Sequence, residues 1–189
     1  MKLRYIPNIL TSIRLLLVVP VLLAILSEHY TLAFTLFLLS GLTDAFDGLL
    51  ARVYNWTSRF GAAADPLADK LLLMTSFIAL GWVKQIPLWL VAIVIARDVW
   101  IVCGGIAYRL VIGRLDFLPS MISKINTFLQ ILLITLMLGD LGVVQLWPWL
   151  LHSLMLAVLI TTVASMLHYT WVWGQRAIAN YPAKVENQT

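Results

Sequence analysis

Six long apolar runs dominate the chain and leave little room for any fold outside a lipid bilayer. They extend from about Ile9 to Leu26, Leu32 to Val53, Pro66 to Val83, Leu88 to Ile112, Ile122 to Leu138 and Leu146 to Val172. A helix that crosses a bilayer needs roughly 20 mostly apolar residues. The expected fold is therefore an all-α integral membrane protein of six transmembrane helices, of which the second and third are interrupted by charge. Composition agrees: 61% of the 189 residues are hydrophobic and 12% charged, with a mean hydropathy of +0.92. A soluble domain of this size leaves too much surface in water to hide so much apolar area. Residues 1–175 read as a single six-helix domain and 176–189 as a short polar tail. No repeat or cleavable signal peptide stands out.

The loops carry charge unevenly. Lys2, Arg4, Arg52, Arg59, Arg109, Arg114, Arg176 and Lys184 would share one side, while Lys84 faces the other with Glu28 and Asp140. The positive-inside rule then places both termini in the cytoplasm, in an inner or cytoplasmic membrane. Trp82, Trp89, Trp147, Trp149, Trp171 and Trp173 fall near run ends, where an interfacial aromatic belt needs them. The net charge of +4 suits anionic head groups. Basic residues are scattered over loops and form no stripe, so no nucleic-acid partner is expected. Cys103 is the only cysteine, which excludes a disulfide framework or a thiolate metal site.

Several charges fall where lipid should forbid them: Arg14, Asp44, Asp47, Asp65, Asp69, Lys70, Arg97, Asp98 and Lys124. Each costs about 2.5–3.5 kcal/mol near mid-membrane even on a lenient scale. A bound divalent cation would collect the carboxylates, and so would pairing with nearby Arg and Lys. Asp44 and Asp47 are three apart, and Asp65 and Asp69 four apart. On helices both spacings stack side chains on one face. Gly48 and Ala51 extend the first stripe and Gly61 the second. Small residues admit a close neighbour or a flat ligand, and oxygen-only donors suit Mg2+ or Mn2+. Arg97 and Asp98 are adjacent and point to different faces, so each is expected to pair with another helix rather than with its neighbour.

The stretch DAFDGLLARVYNWTSRFGAAADPLADK resembles the motif of the CDP-alcohol phosphatidyltransferase family, D-x2-D-G-x2-A-R-x8-G-x3-D-x3-D. All eight specified residues, spread over 26 positions, are present: Asp44, Asp47, Gly48, Ala51, Arg52, Gly61, Asp65 and Asp69. The opening IPNILTSIR is similar to the family's entry into its first span. The resemblance implies six spans, a cytoplasm-facing site and transfer of a phosphatidyl group from CDP-diacylglycerol to an alcohol with release of CMP. It further implies two divalent cations, Mg2+ or Mn2+, held by Asp44, Asp47, Asp65 and Asp69. Asp69 would double as the base that takes the acceptor's hydroxyl proton. Gly48, Ala51 and Gly61 would leave room for cytidine, Arg52 would meet donor phosphates, and Asn8, Thr11 and Arg14 would add polar donor contacts. A homodimer fits the family.

The acceptor is read from later residues. PSMISKINTFLQ, with Arg97-Asp98 upstream, resembles the family's eukaryotic-type cardiolipin synthases, P-x3-SK-x-NT-x2-Q. Phosphatidylglycerophosphate synthases more often carry GK-x-KT there, and this chain has Asn126 at the second lysine. Glycerol 3-phosphate brings about two negative charges and favours a basic clamp, whereas phosphatidylglycerol brings one. Lys124 with Asn126 and Thr127 suits the latter, giving cardiolipin. Arg97, Arg109, Arg114 and Lys124 together could hold glycerol 3-phosphate, so that acceptor stays open. A divalent-cation transporter is the rival from another class, since acids in membrane helices also line ion paths. It explains the carboxylates and leaves Gly48, Ala51, Arg52 and Gly61 without a role.

Overall fold

A computed structural model describes the backbone of residues 6–54, 59–111 and 120–186, with side chains over 12–44, 67–110 and 120–175. The described residues form six helices: α1 (Ile6–Leu26), α2 (Tyr30–Tyr54), α3 (Arg59–Trp82), α4 (Leu88–Val111), α5 (Met121–Gly142) and α6 (Pro148–Glu186). By length and composition three of them can cross a membrane, over Leu88–Leu110, Met121–Gly142 and Pro148–Gln175. The described parts of α1 and α2 hold shorter apolar stretches, Ser12–Leu26 and Tyr30–Asp44. Among the described residues there are thus six helices, and three of them are long and apolar enough to cross a membrane.

Helix ends are set by local chemistry. At the close of α1, Glu28 adopts φ 58°, and the His29 amide donates to Ala24 and the Glu28 amide to Ile25. α3 closes the same way: Lys84 has φ 62°, Gln85 donates to Leu80 and Lys84 to Gly81. This left-handed cap satisfies carbonyls that a helix end otherwise orphans. Ser120 caps the start of α5, its Oγ accepting from the Ser123 amide at 3.1 Å. Pro148 opens α6, where its missing N–H costs no helical bond. Pro66 lies inside α3, which is already under way from Arg59, so it does not open that helix.

The chain divides into two compact units, Met1–Leu88 with Ile131–Leu151, and Trp89–Gln130 with His152–Thr189. In the first, α1 packs against both α2 and α3, with Val21, Ile25, Phe37, Phe77 and Leu80 fully or almost fully buried. Gly142 lets the end of α5 meet the start of α2, and Thr31 Oγ1 donates to its carbonyl at 2.6 Å. In the second unit Leu90, Val94 and Val158 are buried beside polar groups described below. Large apolar side chains stand exposed on every helix, among them Leu16, Leu42, Ile78, Val102, Phe128 and Leu167. Patches this extensive call for an apolar solvent. Trp82, Trp89, Trp147, Trp149 and Trp171 are likewise exposed, as side chains at a membrane interface would be.

Candidate functional site

The first unit gathers one cation and two carboxylates from three helices. Arg14, midway along α1, is completely buried. Its Nη1 lies 2.7 Å from Asp44 Oδ1 on α2 and 2.8 Å from Asp69 Oδ1 on α3. The burden is uneven: the Arg14 side chain is 1% exposed, while Asp44 and Asp69 are 43% and 45% exposed. A guanidinium taken out of water is costly unless carboxylates meet it, and here two do. The open sides of the carboxylates remain accessible to an incoming ligand. On the same two helices Ser40 and Ser76 are fully buried, and their hydroxyls have no partner among the described residues.

Of the four aspartates, Asp44 and Asp69 meet at Arg14. Asn8 and Thr11 lie on α1, Asp47, Gly48, Ala51 and Arg52 on α2, and Gly61 and Asp65 on α3; the side chains of these eight fall outside the described residues. Among the described residues no three potential metal ligands come together. Spacing alone did not reveal that Arg14 would serve as partner to both acids. The signal was present: an arginine within an apolar helix must find carboxylates.

The second unit holds a separate polar cluster. Arg97 Nη1 pairs with Asp98 Oδ1 at 2.9 Å, with both side chains buried. Arg97 also donates through Nη2 to Ser165 Oγ at 2.7 Å and through the same atom to Ser123. The expectation that Arg97 and Asp98 would shun each other is thereby corrected. Adjacent Cβ atoms do diverge, but the arginine stem is long enough to bring its fork back to the next residue. Arg97 still reaches other helices, at Ser123 on α5 and Ser165 on α6.

Asn126 is buried too, its Oδ1 accepting from Thr161 and Thr162 at 2.9 Å each. Arg109 and Lys124 are exposed, and no contact among the described residues ties either to Arg97. Arg114 lies outside the described residues. The Tyr169 hydroxyl accepts from the Ser120 amide at 3.2 Å, and Trp100 Nε1 donates to Thr170 at 3.0 Å. These contacts fasten α6 to α5 and α4.

The sequence pattern of the CDP-alcohol phosphatidyltransferases matches residues 4–173. The chain belongs to that family. Among curated relatives, a probable cardiolipin synthase (CMP-forming) from Drosophila melanogaster is 33% identical over 186 residues, covering 87% of this chain and 56% of that protein. A probable phosphatidylglycerophosphate synthase from Mycobacterium tuberculosis is 36% identical over 130 residues, covering 65% of this chain and 60% of its own. The human cardiolipin synthase (CMP-forming) is 34% identical over 149 residues, 68% of this chain and 48% of that protein. The chain therefore spans about half to three fifths of the length of these relatives. Within a CDP-alcohol phosphatidyltransferase, Asp44 and Asp69 are the first and last acids of the family motif, and Arg14 bridges them.

Proposed function

We propose that this CDP-alcohol phosphatidyltransferase moves the phosphatidyl group of CDP-diacylglycerol onto the hydroxyl of phosphatidylglycerol, forming cardiolipin and releasing CMP. The observation that carries this reading is the meeting of Asp44 and Asp69 at one cation, at the two ends of the family motif. The names of the relatives support the donor and the acceptor. Glycerol 3-phosphate is the second acceptor, favoured by the Mycobacterium tuberculosis relative.

The donor set fits divalent cations. Asp44 and Asp69 offer hard oxygen ligands already aimed at positive charge, and Asp47 and Asp65 would complete a set for two ions, Mg2+ or Mn2+. When bound, these ions neutralise the pyrophosphate and stabilise charge growing on the leaving CMP. Asp69 accepts the proton of the acceptor hydroxyl as that oxygen bonds to the phosphorus bearing diacylglycerol. The bond from that phosphorus to the CMP oxygen breaks, and CMP departs with its own phosphate. Arg52 holds donor phosphates, Gly48, Ala51 and Gly61 make room for cytidine, and Asn8 and Thr11 orient the donor. Arg109, Arg114 and Lys124 attract the acceptor's phosphate, and of these Arg109 and Lys124 are exposed.

Six spans, with both termini and the site in the cytoplasm, suit this chemistry, because a water-soluble nucleotide must leave from the face that carries the basic loops. A homodimer fits the same reading. Chelation provides the test. Stripping divalent ions from purified protein should abolish CMP release, and Mg2+ or Mn2+ should restore it. Release that persists in excess chelator would overturn the proposal.

A further inference from the structure

We infer that Arg14 is the resident counter-cation of the aspartate cluster, occupying a cation's position between Asp44 and Asp69 and yielding it when metal binds. The inference rests on the metal-dependent reading above and extends it to a residue that reading does not use as a gate. One nitrogen, Nη1, lies within hydrogen-bonding distance of both Asp44 Oδ1 and Asp69 Oδ1. A divalent ion ligated by those oxygens would sit about 2.0–2.2 Å from each. Nitrogen and metal cannot share that position, and two adjacent cations repel strongly where water is scarce.

The geometry also dictates the direction of exchange. Arg14 is the buried partner, with its side chain 1% exposed, whereas Asp44 and Asp69 are 43% and 45% exposed. Metal therefore arrives at the exposed carboxylates, and Arg14 gives up its hold on them. A desolvated guanidinium tolerates no long interval without an anion. The incoming donor supplies one, and a planar fork of N–H groups matches phosphate oxygens. Arg14 therefore holds the acids together before metal arrives and becomes available to the pyrophosphate afterwards. Metal and donor are coupled through this one side chain: each makes room or provides compensation for the other.

The test is Mn2+ binding, followed by EPR on the full chain in nanodiscs without nucleotide. Arg14→Gln should bind Mn2+ about tenfold more tightly than wild type, because a competing cation is gone. Its metal-free form should melt at lower temperature, with Mn2+ recovering the loss. Arg14→Lys retains the charge and should bind Mn2+ close to wild type. A residue that merely braces the site would instead weaken Mn2+ binding when removed. Equal or weaker binding by Arg14→Gln overturns the inference. If that variant does not fold, wild-type protein labelled with 15N at arginine side chains decides: Mg2+ must shift a guanidinium resonance, and no shift overturns it. Asp44→Asn separates the two levels. If wild type binds no Mn2+, or Asp44→Asn binds it unchanged, the metal reading falls; if only Arg14→Gln disappoints, that reading stands.

Discussion

Arg97 and Asp98 are sequence neighbours that form a buried ion pair, Nη1 to Oδ1 at 2.9 Å, with side-chain exposures of 5% and 6%. Ser123 and Ser165 also accept from this guanidinium, from two other helices. The arrangement makes Arg97 a fastener of α4, α5 and α6. It has no exposed fork to offer an acceptor phosphate.

Breaking this pair on one side should be costly. Arg97→Met or Asp98→Leu alone leaves a buried charge uncompensated, a loss of about 3–5 kcal/mol. The double variant Arg97→Met with Asp98→Leu removes both charges and should recover most of that loss. Thermal unfolding in nanodiscs measures all three. A double variant no better than the singles would show that the pair does not organise this region.

The remaining basic residues should sort the other way. Arg109→Ala and Lys124→Ala are expected to raise KM for the acceptor with little change in melting temperature, since both side chains are exposed. Asn126→Leu should do the reverse, losing about 1–2 kcal/mol as the Thr162 hydroxyl is left unpaired in the interior. Thr161 is cushioned, because its hydroxyl already reaches the Ala157 and Val158 carbonyls. A large acceptor effect from Asn126→Leu without destabilisation would make Asn126 a binding residue rather than a structural one.

Gly142 is expected to be intolerant of a side chain. An added Cβ would meet the Thr31 nitrogen at 2.5 Å and the Tyr30 carbonyl carbon at 2.6 Å. Both are backbone atoms that cannot swing aside, so Gly142→Ala should cost about 1–3 kcal/mol of stability. Gly174 has nothing within 4 Å, and Gly174→Ala should be neutral or slightly stabilising. Tyr30 opens α2 well before Asp44, about 21 Å away along the axis. Turnover per folded Gly142→Ala molecule should therefore stay near wild type. Equal melting temperatures for the two alanine variants would contradict the close approach.

Asp69→Asn should lower turnover by about 10²–10⁴-fold, the range for a lost general base, while the protein still inserts and folds. Asp44 remains to meet Arg14, so the buried guanidinium keeps a partner. Near-normal turnover would remove Asp69 from the role of base.

Much of the fold was legible because lipid imposes a simple rule on composition. The long apolar runs of α4, α5 and α6 lie close to the observed helices. Ends were less legible where helix and apolar run part company. α3 starts at Arg59 rather than Pro66, since Ala62, Ala63 and Ala64 favour helix while adding little hydropathy. α6 continues to Glu186 through polar residues that an apolar run excludes. In the site, the period of the aspartates disclosed shared faces but could not say which helix would come across to meet them. That required Arg14 in three dimensions. The Arg97–Asp98 pair is hidden for a related reason: adjacent helical positions diverge at Cβ, and the arginine stem's reach back to its neighbour shows only in three dimensions.

The most direct measurement of the central claim is product formation by the purified chain with labelled CDP-diacylglycerol and Mg2+ or Mn2+. Phosphatidylglycerol and glycerol 3-phosphate would be supplied in separate reactions. Phosphatidylglycerol should give CMP release and a labelled cardiolipin product. Phosphatidylglycerol phosphate from glycerol 3-phosphate alone would keep the reaction and replace the acceptor. CMP release with neither, nor with inositol phosphate, serine or choline, would contradict the account at its root.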